Sequence, residues 1–216
     1  MNNLIMEAEK KENTSAYPQQ ISTSMSFSSF MTAVVIFFVG IILSRYSEYD
    51  SAIRVPICFL ILATFGFLYS ALIYANSSEE MIQGKIKNYK RNMFIGDILS
   101  EYFGVYFLVL SIPLAINIIA SDVYLRTTVA LASLIGFSFY QFSHFSISER
   151  HFPKHHKLIS FFIIGVGIIL FFSQMVNFYF EFFSIILVIF IFGMVIFALR
   201  KKEARTNVLG FIKEFD

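Results

Sequence analysis

The chain has 216 residues, of which 56% are apolar and 15% charged, with 28 Phe, no Trp and a net charge of +2. A soluble domain carries roughly a quarter charged residues, and a disordered chain combines low hydrophobicity with high net charge; both are excluded. The small net charge argues against a nucleic-acid partner, which leaves an all-α polytopic integral membrane bundle in a cell membrane.

The first segment, residues 1–24, is polar, with Pro18 and several Ser, Thr and Gln, and is expected to be a flexible cytoplasmic tail. It lacks the basic run, apolar core and small-residue cleavage site of a secretory signal. An uncharged window at 13–44 follows, then others at 55–78, 102–121, 127–148, 158–180 and 182–199, which hold 24, 20, 22, 23 and 18 residues. Crossing a hydrocarbon layer takes about 20 helical residues, whereas strands of membrane barrels are about 10 residues long and alternate in polarity. Six transmembrane helices are therefore expected within 25–199, over 25–44, 55–76, 98–120, 127–147, 158–177 and 181–199, ahead of a basic tail at 200–216. Loops of about 20 residues near 77–96 and about 10 at 149–157 are the longest expected, with no separate soluble domain and no internal repeat.

Lys and Arg fix the orientation. Fourteen lie in the two tails and in the loops after the second and fourth spans, against three (Arg45, Arg54, Arg126) on the other side. Both termini are thus predicted to be cytoplasmic, with Tyr46, Tyr49, Tyr124 and Tyr179 at the outer interface. Arg54, next to Pro56 in a first helical turn, is expected to snorkel outward. The single cysteine, Cys58, falls in the second span and forms no internal disulfide.

Charge at membrane depth is costly and needs a reason. Asp97 and Glu101, four residues apart at the start of the third span, share a helix face with Gly104, Leu108 and Ser111. Asp97, just after Gly96, also suits a helix N-cap. In the fourth span, Ser138, Gln141, His144 and Ser148 form a second polar stripe. A hairpin turning midway between Asp122 and Val123 sets Glu101 level with His144 and Asp97 with Ser148. A facing carboxylate and imidazole titrate near neutrality and suit a proton relay or ion pathway, or serve as an interhelical hydrogen bond. Asp97, Glu101, Gln141 and His144 are the candidate pathway residues. Small residues four apart, Ser100 with Gly104 and Ala132 with Gly136, predict close packing of the third and fourth spans.

Catalytic motifs do not complete themselves. His151, His155 and His156 have the H-x-x-x-H-H spacing of a desaturase histidine box, but the chain's four His are too few for a di-iron site. These three remain weak candidates for a surface metal, and no cofactor is expected. Glu79-Glu80 lacks the arginine of intramembrane CAAX-type proteases, Gly84 standing in its place. Gly96-Asp97 lacks the earlier glycine of aspartyl intramembrane proteases, and Gly136-Phe137-Ser138-Phe139 lacks the rhomboid's second glycine. The length and helix count resemble small prokaryotic relatives of the lysosomal potassium channel, as does Phe27-Ser28. The acid that family carries four residues after the serine is Thr32 here, and membership is not implied.

Three functions follow. The first is a small oligomeric ion channel or proton-coupled carrier using the carboxylate and imidazole. The second is a non-catalytic membrane subunit that assembles a partner complex through its basic loops and tail. An enzyme acting on lipid through the histidine loop is the least favoured. The expected surroundings are the lipid bilayer and either further copies of the chain or membrane partner subunits. A fluorescent-protein fusion to the C-terminus should fluoresce and an alkaline-phosphatase fusion there should stay inactive; the opposite pattern would reverse the orientation.

Overall fold

The computed structural model describes residues 2–142, 156–176 and 178–200, with side chains described over 18–141, 157–176 and 178–197. Among them there is no strand, and six helical segments are long and apolar enough to cross a membrane.

Helix α1 (Asn2–Ser44) is 43 residues long, about 65 Å at 1.5 Å per residue. That is twice the hydrocarbon thickness, so the chain is helical from Asn2 onward where a flexible tail was expected. Residues 4–12 explain the difference, since they are Leu, Ile, Met, Glu, Ala and Lys, mostly strong helix formers.

Two 3₁₀ turns, Tyr46–Glu48 and Ser51–Ile53, lead into α2 (Arg54–Ile82). The Asp50 carboxylate caps the second by accepting the Ala52 N–H at 2.9 Å. Arg54 is exposed, and its Nε donates to the Tyr46 hydroxyl at 3.0 Å, as a snorkelling side chain would. The long loop expected near 77–96 shrinks to a turn at 83–85, because only these three residues separate α2 from α3 (Ile86–Ile98). Gly84, at φ +72°, makes the reversal possible. Its N–H bonds the Met81 carbonyl at 3.0 Å and the Lys85 N–H bonds the Glu80 carbonyl at 2.9 Å, the paired closure of a glycine-ended helix. Charged residues that looked like a loop are thus the polar ends of two helices. Ile21, Tyr74, Tyr89 and Met93 bury one another there and tie α1, α2 and α3 together.

From Ile86 the helix runs without a break to Ile119. A seven-residue π-helical segment, Leu99–Val105, joins α3 to α4 (Tyr106–Ile119). Asp97 therefore lies in mid-rod and is not an N-cap. After a turn at 120–122, in which Asp122 accepts the Tyr124 N–H at 2.7 Å, α5 spans Val123–Phe142. Helices α6 (His156–Met175) and α7 (Phe180–Arg200) complete the bundle.

The centre is α2 against the α3–α4 rod. Of their most apolar stretches 50% and 56% is buried, against 11–28% for the other four spans. Phe59, Phe67, Tyr102, Tyr106 and Phe107 fill the contact, while Phe30, Phe37, Phe139 and Phe161 face outward, where lipid would meet them. A Cβ added to Gly66 would lie 2.5 Å from the Gly104 backbone nitrogen, and one on Gly104 would lie 2.6 Å from the Phe67 ring. Backbone therefore touches backbone. Beside this crossing the buried Ser70 hydroxyl shares its proton between the Gly66 carbonyl at 2.7 Å and the Gly96 carbonyl at 2.9 Å. A Cβ on Gly96 would meet the Tyr74 ring at 2.6 Å. The close approach expected between the third and fourth spans is made instead by the second and third. Ala132 and Gly136 are exposed on α5, and nothing lies within 4 Å of a Cβ at Gly136.

At the end opposite the α2–α3 turn, α4 and α6 are clasped by side-chain amides. Asn117 donates to Gln174 Oε1 at 3.0 Å, and Gln174 donates to the Leu114 carbonyl at 3.0 Å. Pro113, inside α4, borders a void of about 30 Å³ whose walls are almost entirely apolar, which fits packing and not a pathway.

Gly66→Leu should destabilise the purified protein by about 3 kcal/mol or prevent its folding, as overpacking against backbone does. Gly136→Leu should leave the melting temperature in detergent nearly unchanged. Equal melting temperatures for the two would refute the crossing as the centre of the fold.

Candidate functional site

A polar cleft opens near the end where α2 turns into α3. It encloses about 260 Å³ and is walled by four helices and the π segment. From α1 come Gln20, Ser24, Phe27 and Ser28; from α2, Tyr74; from α3 and the π segment, Asp97, Ser100, Glu101 and Val105; and from α5, Tyr140.

Glu101 has no exposure. Its Oε1 accepts from the Tyr106 hydroxyl at 2.9 Å and its Oε2 from the Tyr140 hydroxyl at 3.1 Å. One carboxylate is thus held by two phenols, one from its own rod and one from α5. The π segment makes the first contact possible. In a regular α-helix, residues five apart point about 140° away from each other at 100° per residue. Here the Tyr106 N–H bonds the carbonyl of Glu101, five residues back, and the widened turn sets Tyr106 above Glu101. Such turns insert one extra residue into a helix and are frequent at functional sites. The insertion also breaks the single face expected through Asp97, Glu101, Gly104, Leu108 and Ser111. Within it Gly104 packs on Phe67, and beyond it Ser111 donates to the Leu108 carbonyl of its own helix.

Asp97 is half-buried, and its Oδ1 accepts from the Tyr74 hydroxyl at 2.8 Å. Because Gly96 leaves room for the Tyr74 ring, the close crossing of α2 also brings this phenol to the carboxylate. Ser28 is the other notable group. It is fully buried on α1 and lines the cleft, yet its hydroxyl oxygen has no hydrogen-bond partner. Thr32, one turn along, donates at 2.8 Å to the Ser28 carbonyl, as helical hydroxyls commonly do. The Ser28 hydroxyl faces the cleft wall with its bonding capacity unused.

The structure brings together Asp97 and Glu101 of the sequence candidates. Gln141 is buried but accepts from the Ser160 hydroxyl on α6 at 2.9 Å, and is absent from the cleft lining. Ser138 donates to the Leu134 carbonyl of its own helix at 2.7 Å. Of the fourth-span stripe, Gln141 thus bonds α6 and Ser138 its own helix, while Tyr140, next to Gln141, reaches the rod. His144 and Ser148 lie outside the described residues, as do His151 and His155 and the side chain of His156. Among the described residues no group of three or more His, Cys, Asp or Glu is placed to hold a metal.

Tyr140 was within reach of the hairpin argument. The turn between α4 and α5 is at 120–122, centred on Ser121 and not between Asp122 and Val123. Reflecting Glu101 through Ser121 gives position 141, next to Tyr140. Two further signals were not usable from sequence: the π turn, and the pairing of α1 with this face, which supplies Ser28 and Phe27.

Tyr140→Phe and Glu101→Gln should each lower stability by about 1–2 kcal/mol, and the double variant should cost less than their sum, since both break the same bond. Additive losses in detergent unfolding would dissolve the pair. Comparison with protein families, with characterised proteins and with solved structures yields no match to this chain.

Proposed function

We propose that the protein is a proton-coupled membrane carrier of the alternating-access type, with Glu101 as its protonatable centre and the cleft as the opening toward the cytoplasm. The observation that carries this reading is a fully buried carboxylate, held by two phenols, at the edge of a polar cleft. Ionisable groups at membrane depth are kept where they face such cavities and handle ions or protons. The cleft sits at the end of the bundle that carries Lys85, Lys87, Lys90 and Arg91, the side that charge bias assigns to the cytoplasm.

The surroundings favour a carrier over an open channel. Past Glu101 the bundle is closed by Tyr106, Phe59 and Phe107, all buried, with the last two rings 5.1 Å apart. Tyr106 also packs edge-on against Phe137 of α5 at 5.2 Å, so the rod and α5 share the seal. A pathway open on one side and shut on the other is one of the two states a carrier needs. Aromatic rings and a π turn are elements whose rearrangement opens such seals. Asp97 serves as an outer carboxylate that draws cations toward Glu101. The imidazole of His144, four residues beyond Tyr140 in sequence, is the natural further proton partner.

The test is proton uptake into liposomes holding the purified chain, driven by a potassium diffusion potential. Glu101→Gln should abolish uptake, Asp97→Asn should slow it about tenfold, and Gln141→Ala should leave it near the wild-type rate, provided each variant elutes as folded protein. His144→Ala reads out the imidazole. Uptake unaffected by Glu101→Gln would remove the centre, and no uptake by the wild type would remove the function.

A further inference from the structure

The cleft has properties that proton handling does not require. Its volume of about 260 Å³ is more than ten times what a single water needs, so it is sized for a solute. Its walls divide into two kinds. Phe27 and Val105 are apolar and two aromatic residues, Tyr74 and Tyr140, line it as well, while Gln20, Ser24, Ser28 and Ser100 are polar and the acidic groups gather on the rod as Asp97 and Glu101. Carboxylates beside several aromatic rings make a site for a cation that carries carbon. The ring quadrupole attracts the charge and the carboxylate neutralises it. A bare metal ion gains nothing from the apolar and aromatic part of this wall, whereas a cation that carries carbon does.

Ser28 narrows the class. Its hydroxyl is buried in the cleft wall and has no hydrogen-bond partner among the described residues. A buried hydroxyl left without a bond costs about 1–3 kcal/mol, a cost that is removed when a bound solute supplies the missing bond. A protonated primary amine, with three N–H donors on one small head, can bond Ser28 while it pairs with Asp97. A quaternary ammonium has no N–H and cannot.

We infer that the cleft is a binding site for a small primary alkylammonium ion, with Asp97 pairing the charged head, Ser28 accepting one of its N–H groups, and Phe27, Tyr74 and Tyr140 enclosing its charge and carbon chain. As cargo, this solute rests on the carrier reading above: Glu101 remains the proton site and the amine occupies the cleft outside it. As a binding site, it stands on the cleft alone.

The experiment is equilibrium dialysis of the full chain in detergent against radiolabelled n-propylammonium, with tetramethylammonium, Na⁺ and K⁺ as competitors. Saturable propylammonium binding is expected, weakened at least about tenfold by Asp97→Asn and about fivefold by Ser28→Ala. Tetramethylammonium should compete poorly, with an affinity that Ser28→Ala does not change. Phe27→Leu, at an exposed position on α1, should weaken propylammonium about threefold and keeps the test alive should Asp97→Asn fail to fold. The inference is overturned if the wild type binds no propylammonium, if all three variants bind it as the wild type does, or if Na⁺ or K⁺ displaces it at equal concentration. Amine binding without Glu101-dependent proton uptake would sink the carrier reading and keep the site. Glu101-dependent uptake without amine binding would do the reverse.

Discussion

Everything in this bundle is arranged around one contact, the meeting of α2 and the π segment where Gly66 faces Gly104. Lipid tails are as apolar as leucine, so burial in a membrane gives helices little reason to associate. Close van der Waals approach and hydrogen bonds between helices must do it instead. Two glycines let the backbones touch, and the approach brings the Ser70 hydroxyl within 2.9 Å of the Gly96 carbonyl on the neighbouring rod. It also lays Tyr74 over Gly96, where its hydroxyl reaches Asp97. Packing and site are therefore one structure. The same spacing of small residues that holds the helices together sets the first carboxylate in place.

The second carboxylate depends on a departure from regular helix. An unbroken α-helix from Ile86 to Ile119 would hold Tyr106 well away from Glu101. The additional residue of the π turn brings them together, and Tyr140 closes the clasp from α5. Both oxygens of this buried acid thus accept phenol hydrogen bonds. The clasp also joins α5 to the central pair, of which α5 is otherwise a sparsely buried neighbour.

Much of this could be read from the chain. The six spans follow from window length, and the acids at 97 and 101 stood out because charge at that depth is rare. The errors trace to particular residues. Residues 77–96 looked like a loop since they are charged, yet the glycine-ended closure at Gly84 needs only three residues, and the charges ride on helix ends. Gly104 was visible as a small residue but its partner was not, because spacing along one helix does not say which neighbour it meets. Asp97 looked like a cap because a helix start was placed at the edge of the apolar window, whereas the helix itself begins at Ile86. The stripe obeyed helical periodicity, yet its Gln141 bonds Ser160 of α6, while Tyr140, one position away, carries the contact to Glu101. One residue is about 100° of rotation, so a small error in the hairpin's centre selects a different face. A π turn shifts the phase by the same amount, and no simple pattern of apolar residues announces it.

The widened turn between α3 and α4 has a mechanical meaning. A helix holding one residue more than its hydrogen-bond ladder requires can pass the surplus to the next turn by exchanging a few backbone bonds, with both ends of the rod still seated. Each such step rotates only the residues it crosses. Leu99–Val105 is where that surplus now rests, and Glu101 lies within it. The acid can thus be turned relative to α5 and the cleft while the Asn117–Gln174 clasp at the far end and the glycine-ended turn at the near end hold still. A rigid bundle so acquires one rotating section, located at its only fully buried carboxylate among the described residues.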